Sequence, residues 1–194
     1  MSHYFIEDES LKRNLKKIVY YYTDKKFVFT THDGLFSKDH VDEATDILLK
    51  SIPPLSGSLL DMGCGYGCIG IVLAKMYNLK LTQCDVNKMA LDMTRVNCRD
   101  NNVESEIIKS DCFENITGLF DTIVINPPIH AGKSVTYRMF EDSINHLNIG
   151  GCLYVVNLKK HGAESTMAKL TEVFGGCEVI YKKKGIFVFR CVKK

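Results

Sequence analysis

Near the middle of the chain, Asp121-Thr122-Ile123-Val124-Ile125-Asn126-Pro127-Pro128 reads as a buried strand that stops abruptly. Consecutive prolines hold φ and remove two N–H donors. The carbonyls beside them have nothing local to accept from. The side-chain oxygen of Asn126 and the carbonyl of Pro127 can then accept from a single NH₂ group, with Pro128 forming the next part of the contact surface. Such a pair suits a planar, conjugated amine, whose lone pair is delocalised into a ring. Two acceptors on the N–H bonds favour a pyramidal nitrogen and aim its lone pair at an incoming electrophile such as a methyl group. Transfer in line needs no metal and no covalent enzyme intermediate. Holding two reactants in attack geometry lowers a barrier by roughly 7–11 kcal/mol in the best cases. The plainer reading is a proline turn without chemistry.

The second candidate is Asp61-Met62-Gly63-Cys64-Gly65-Tyr66-Gly67, which follows a short apolar run and opens a helical one. Glycines there let the backbone turn sharply and approach a ligand closely. A helix start adds free N–H groups. Asp85 ends the next apolar run, where its carboxylate can accept from two ribose hydroxyls. Gly65-x-Gly67-x-x-Gly70 with Asp85 also matches the dinucleotide fingerprint, so a nicotinamide oxidoreductase stays open on this motif alone. Asp61 weighs against it. A carboxylate beside the glycines repels a pyrophosphate but suits the methionine ammonium of S-adenosylmethionine. Ser110-Asp111-Cys112-Phe113 ends a third run. Asp111 can accept from an adenine amino group and the Cys112 N–H can reach the ring, or Asp111 simply caps a turn.

These residues need a frame. Lys17–Thr23 and Lys26–Thr31 are β-rich runs parted by Asp24-Lys25, a hairpin pattern. Val41, Ala44, Ile47 and Leu48 recur at helical spacing within Lys38–Ser51. After residue 57 strand and helix alternate: strands at Ser58–Met62, Leu79–Val86, Glu104–Ser110, Phe120–Asn126 and Cys152–Leu158, helices at Cys68–Tyr77, Lys88–Asn101, Val135–Leu147 and Ala163–Phe174. Repeated β-α units with short links predict a parallel sheet with helices on both faces. Cys177–Lys183 and Ile186–Val192 are joined by Lys184-Gly185, so the last strand must run antiparallel. Residues 1–194 read as one α/β domain, with 1–54 as an N-terminal extension and hairpin and 55–194 as the core. Met1 to about Leu15 is polar and reads as an extended arm.

Composition narrows the rest. The chain has 194 residues and a formal net charge of +2, too mild for a general nucleic-acid footprint. Nucleic-acid binding therefore falls to local patches: Lys12/Arg13 with Lys16/Lys17, Lys159/Lys160, and Lys182/Lys183/Lys184 near Lys193/Lys194. The eight cysteines include no C-x-x-C pair and no zinc spacing, so no metal is expected and the thiols read as reduced, small hydrophobes. No apolar h-region follows Met1 and no run is long enough to span a bilayer, so no membrane partner and a cytoplasmic location are expected.

Several runs together carry a family resemblance: His3-Tyr4, Gly34-Leu35-Phe36-Ser37-Lys38 with Asp42 and Thr45, Leu60–Gly67, Asp85-Val86-Asn87, and Asn126-Pro127-Pro128-Ile129-His130-Ala131-Gly132-Lys133. Over nearly the whole chain it resembles the class I "methyltransferase small" family, which includes bacterial small-subunit ribosomal RNA guanine-N2 methyltransferases, and it looks most like the compact, one-module members. The resemblance implies a seven-stranded, mostly parallel Rossmann-like methyltransferase sheet with an antiparallel last strand. It implies S-adenosylmethionine as cofactor and a guanine exocyclic amine in RNA, in ribosomal RNA or the small ribosomal subunit, as acceptor. Carried over, Asp61, Gly63 and Gly65 belong to the methionine side, Asp85 and Asn87 to the ribose and its surroundings, and Asp111 and Cys112 to adenine. Asn126 orients the amine, and Phe36, Lys38 and Thr45 close the pocket. Ile129 stands where many amino-methyltransferases stack an aromatic on the flipped base; it covers a base but stacks less strongly. His130 is a candidate proton acceptor. Asn-Pro-Pro also serves protein glutamine and adenine-N6 methyltransferases, whose targets are likewise planar amines.

Overall fold

The computed structural model describes residues 15–33, 35, 39–128 and 132–194. The expected arm at the start lies outside them. Strands β1 (Leu15–Tyr22) and β2 (Lys25–His32) form the hairpin. Tyr22 pairs with Lys25, so the turn is Thr23-Asp24, one residue earlier than the sequence suggests, with Thr23 at φ 53°. Helix α1 (Glu43–Ser51) starts later than expected. The reason is Asp42, whose Oδ1 accepts from the Thr45 N–H at 3.0 Å and caps the first turn.

The core then runs β3 (Ser58–Met62), α2 (Cys68–Tyr77), β4 (Lys80–Asp85), α3 (Lys88–Asp100), β5 (Ser105–Lys109), β6 (Phe120–Ile125), α4 (Gly132–Ser143), β7 (Leu147–Leu158), α5 (Ala163–Phe174), β8 (Glu178–Lys183) and β9 (Ile186–Val192). Strand order across the sheet is β5-β4-β3-β6-β7-β9-β8. Only β9 opposes its neighbours, pairing antiparallel with both β7 and β8. This is the architecture the β-α alternation predicts. Helix α4 begins at Gly132, a turn nearer Asn-Pro-Pro than expected, and a 3₁₀ turn at Ile144–His146 takes its last apolar residues.

Side chains alternate across a strand, and the sheet uses that to build two cores. Leu59, Leu81, Val124, Tyr154 and Val188 face a layer holding the buried residues of α1, α2, α3 and the hairpin. Leu60, Cys84, Ile123, Ile125, Val155 and Phe189 face α4 and α5. Among the described residues no helix is long and apolar enough to cross a membrane.

The hairpin forms its own two-stranded sheet and is tied down by α3. Asn97 is fully buried. Its Oδ1 accepts from the Thr30 N–H at 2.6 Å, and its Nδ2 donates to the Thr30 carbonyl at 2.9 Å and the Tyr66 carbonyl at 2.8 Å. One amide thus joins β2 to the glycine loop. Asn101 repeats the first half, bonding Val28 N–H and carbonyl at 3.1 and 2.8 Å. Asn97→Ala strands three buried backbone groups, each costing about 1–3 kcal/mol. It is expected to lower unfolding free energy by roughly 3 kcal/mol or more in urea titration, with Asn101→Ala costing less.

Candidate active site

Strands β3, β4 and β6 all end at one edge of the sheet, and the chain leaves β3 toward β4 but returns to its other side at β6. Such a switch in strand order opens a crevice at the carboxyl ends. A cavity of about 410 Å³ lies there, lined by Gly63, Cys64, Gly65, Asp85, Asn87, Asp111, Cys112, Thr45, Asn126, Pro127 and Pro128, a size suited to a small organic ligand. It therefore brings together residues from five separate stretches of sequence. The same walls include Leu35, Asp42, Tyr66, Val86, Val135 and Met139, which had no site assignment from sequence. Apolar residues that turn a corner into a cavity carry no pattern of their own. Only Val86, exposed at 62% beside Asp85, stands out as an apolar side chain left uncovered.

The loop is built from backbone. Gly63 and Cys64 N–H both donate to the Cys84 carbonyl at 2.9 Å, and Thr94 Oγ1 donates to the Gly65 carbonyl at 2.9 Å. Gly65 has φ +57°, and nothing stands within 4 Å of where its Cβ would be. A side chain there is both strained and directed into open space at the cavity. Gly70 serves the opposite purpose: a Cβ would meet Gln83 Oε1 at 2.8 Å and Asp61 Oδ2 at 3.0 Å.

The acidic residues divide by environment. Asp85 accepts from the Gly65 N–H through Oδ2 at 3.0 Å and from the Asn87 N–H through Oδ1 at 2.8 Å. A carboxylate has about four acceptor positions, so capacity remains on both oxygens. Asn87 caps α3, its Oδ1 accepting from Met89 N–H at 3.0 Å. Asp111 is turned toward Arg138 of α4, with which it forms a close ion pair. Cys112 has φ 49°, and its carbonyl accepts from Ser110 Oγ at 2.7 Å.

Asp61 is the most buried of the predicted acidic residues. It stands behind the loop and is 1% exposed, outside the cavity wall. Helix α2 begins after Gly67, which has no side chain to cap with. Asp61 does that work from β3, its Oδ2 accepting from the Gly70 N–H at 2.8 Å, while Oδ1 is buried without a partner. Burial pushes its carboxyl up to about 7, opposed by the Gly70 N–H and reinforced by Asp85.

At the other wall, three side chains form a relay. Asn126 Nδ2 donates to Thr45 Oγ1 at 3.0 Å, and Thr45 Oγ1 donates to Asp42 Oδ2 at 2.7 Å. The order is forced. An ionised carboxylate only accepts, so the single Thr45 proton goes to Asp42, and Thr45 must accept from the Asn126 amide. With Nδ2 committed to Thr45, the Asn126 Oδ1 is the amide atom left outside the relay. Phe36, Lys38, Ile129 and His130 lie outside the described residues, and no group of three or more metal-ligating side chains occurs among those described.

A doubly wound sheet with a glycine loop and Asn-Pro-Pro at neighbouring strand ends has the form of a Rossmann-like methyltransferase. The methyltransferase small domain matches residues 26–190, so the chain belongs to the methyltransferase small family and is an S-adenosylmethionine-dependent methyltransferase, which sets the nicotinamide reading aside. It is 38% identical over 197 residues to an uncharacterised Bacillus subtilis (strain 168) protein, YbxB, with 98% of each chain covered. It is 35% identical over 168 residues to ribosomal RNA small subunit methyltransferase C of Cronobacter sakazakii (strain ATCC BAA-894), covering 84% of this chain and 48% of that one. In structure it resembles the Thermus thermophilus 16S rRNA N2 G1207 methyltransferase, solved with AdoMet and guanosine. That match has a TM-score of 0.83 and 23% identity, and covers 93% of this chain and 51% of the other. The chain thus spans about half the length of the last two proteins and nearly all of the first.

The raised carboxyl of Asp61 has a consequence for the ligand-free protein. The folded state keeps a proton that the unfolded chain releases near 3.8, up to about 7. Its stabilising contribution is therefore full below pH 4 and lost as pH rises toward 7. Asp61→Asn keeps an acceptor for Gly70 and removes the titration. Unfolding free energies measured from pH 4 to 7 are expected to decline less steeply in this variant; an unchanged slope would show that Asp61 is not the group responsible.

Proposed function

We propose that this protein methylates the exocyclic N2 amine of a guanine in RNA, with small-subunit ribosomal RNA as the target, and that residues 1–194 act as one catalytic domain. The observation that carries the reading is Asn126 at the end of β6, with its amide orientation set by Thr45 and Asp42 in the cavity it shares with the glycine loop. The relatives with ribosomal RNA names support the acceptor class.

The walls fit the cofactor. Backbone left open at Gly63 and Gly65 gives room for the methionine portion, and Asp85 keeps acceptor positions for the ribose hydroxyls. Asp111, Cys112 and the apolar Val86 border the adenine end, with Asn87 positioning Asp85 and α3. Asp61 acts indirectly, by holding α2 and the loop in place. The bound cofactor supplies a sulfonium methyl as the electrophile. Asn126 and Pro127 accept from the two hydrogens of the guanine amine, directing the nitrogen lone pair along the line of transfer. Pro128 borders the base, and the family resemblance assigns Ile129 to the base and Phe36 and Lys38 to the closing of the pocket. The N–H bonds become acidic only after transfer, so the proton leaves without a strong base; His130 is placed in sequence to receive it.

Methyl transfer from labelled S-adenosylmethionine to small-subunit ribosomal RNA, followed by nucleoside mass analysis, is expected to give N2-methylguanosine. Asn126→Ala is expected to lower turnover by about 100-fold or more, the scale for losing an aligned polar group at a reacting centre. Label appearing on glutamine or on adenine instead would overturn the guanine assignment and keep the planar-amine chemistry. Thr45→Val removes the relay without changing shape. It should lower kcat by roughly ten- to hundredfold, as misplaced reacting groups do, while cofactor affinity stays unchanged and Thr45→Ser restores activity.

A further inference from the structure

Two of the basic runs singled out from sequence come together at the active-site edge of the sheet. Strand β7 ends at Leu158, paired with Ile186 at the start of β9, and Lys183 at the end of β8 pairs with the same Ile186. The turn after β7, Lys159–His161, and the β8–β9 turn at Lys184-Gly185 therefore stand beside each other. The backbone joins them: the Lys159 N–H donates to the Gly185 carbonyl at 2.7 Å. Lys193 and Lys194 follow the other end of β9, where Val192 pairs with Cys152, so the sequence grouping of Lys182–Lys184 with them does not hold in space.

This basic edge is continuous with Asn-Pro-Pro. Strands β6, β7, β9 and β8 are successive neighbours, so three strand spacings of about 4.8 Å place β8 roughly 14 Å across the sheet from β6. A second cavity of about 160 Å³ fills the near part of that span. Its walls include Pro127 and Pro128 together with Lys133 and His161. Lys133, Lys159, Lys160 and Lys183 are exposed, and no ion pair is formed by any of the four among the described residues. Neither 157–163 nor 181–186 contains an acidic residue. Lys184 lies 3.9 Å from Glu43, with both side chains exposed, a pairing that contributes little. Lys182 lies 5.2 Å over the Phe187 ring. With a net charge of only +2 for the whole chain, this concentration is local, and it begins at the acceptor end of the catalytic cavity.

We propose that the edge formed by Lys133, Lys159, Lys160 and Lys182–Lys184 is the track for the RNA phosphates flanking the target guanine. The proposal rests on the RNA reading above and goes beyond it by assigning the surface. A base presented at Asn126 must leave its stack, and its own sugar-phosphate then emerges beside Pro127 and Pro128. Phosphate contacts position a strand without reading its sequence, which suits lysine, a flexible point charge.

The test compares binding of a short single-stranded RNA of mixed sequence over a salt series. The wild type is set against Lys159→Gln/Lys160→Gln/Lys183→Gln/Lys184→Gln and against a control, Lys80→Gln/Lys194→Gln, at the opposite edge. The fourfold variant is expected to bind at least about tenfold more weakly near 0.1 M salt, with the log–log salt slope reduced by about 0.7 for each lysine that meets a phosphate. The control should bind RNA within about twofold of wild type, and S-adenosylhomocysteine affinity should be unchanged in both, a sign that the fold is intact. Equal RNA affinity in the fourfold variant and wild type would overturn the track, as would wild-type protein that binds anionic vesicles but not RNA. Methyl transfer is scored separately. If RNA binding drops but no guanine is methylated by wild type, the surface stands and the guanine reading fails. If guanine is methylated and the fourfold variant binds normally, the reading stands and the surface fails.

Discussion

Strand β3 pairs in parallel with β4 on one side and with β6 on the other, and the geometry of the site follows from that position. The chain leaves β3 in one direction and comes back on the opposite side, so the loops after β3 and β6 diverge and leave a gap above the strand ends. The glycine loop occupies one lip and Asn-Pro-Pro the other. Asp121 anchors the arrangement from the far end of the sheet, its Oδ2 accepting from the Ser58 N–H and Oγ at 2.8 and 2.9 Å. Bonds at the amino ends of β3 and β6 thus hold in register two strands whose carboxyl ends border the cavity.

Within that frame one residue type takes several tasks because its surroundings differ. Asp61 is buried and caps a helix that begins on glycine. Asp85 is held by two backbone N–H groups at the cavity wall. Asp42 caps α1 and, through Thr45, sets which way the Asn126 amide faces. Asp111 faces Arg138. A carboxylate at a strand end is readable from sequence; whether it faces ligand, helix or guanidinium depends on which neighbours pack against it. Asp61 shows the difference best. Its place before the glycines suggested a cofactor contact; the structure adds a second task, since α2 needs a cap that Gly67 lacks and the carboxylate provides it.

The segment before the core was the least legible. The hairpin and α1 were visible as periodic patterns, but nothing in the hairpin announces that it is bound to α3 and to the glycine loop. That anchoring depends on Asn97 in the last turns of α3 and Asn101 at its C-cap, whose side chains bond β2 across more than 60 residues of sequence, Asn97 bonding the glycine loop as well. Such asparagines are ordinarily read as solvent-facing, and no local spacing reveals their partners. Thr45 likewise looked like a pocket residue, while its hydrogen bonds make it the link between a helix cap and the candidate catalytic amide.

The residue pattern alone determined the order of strands and helices, the antiparallel last strand, the glycine loop with Asp85, and Asn-Pro-Pro as the candidate chemical centre. Those features are written in short-range physics: periodicity of two or 3.6, glycines at a turn, prolines that end a strand, and a two-residue link that permits only one strand direction. Tertiary structure decided which side of each strand end faces the cavity, that Asp61 supports the loop from behind, that Asn126 is oriented through Thr45 and Asp42, and that Lys159/Lys160 and Lys182–Lys184 form one edge while Lys193/Lys194 do not. Each of these depends on side chains meeting across the sheet, and strand order, not chain distance, sets which of them meet.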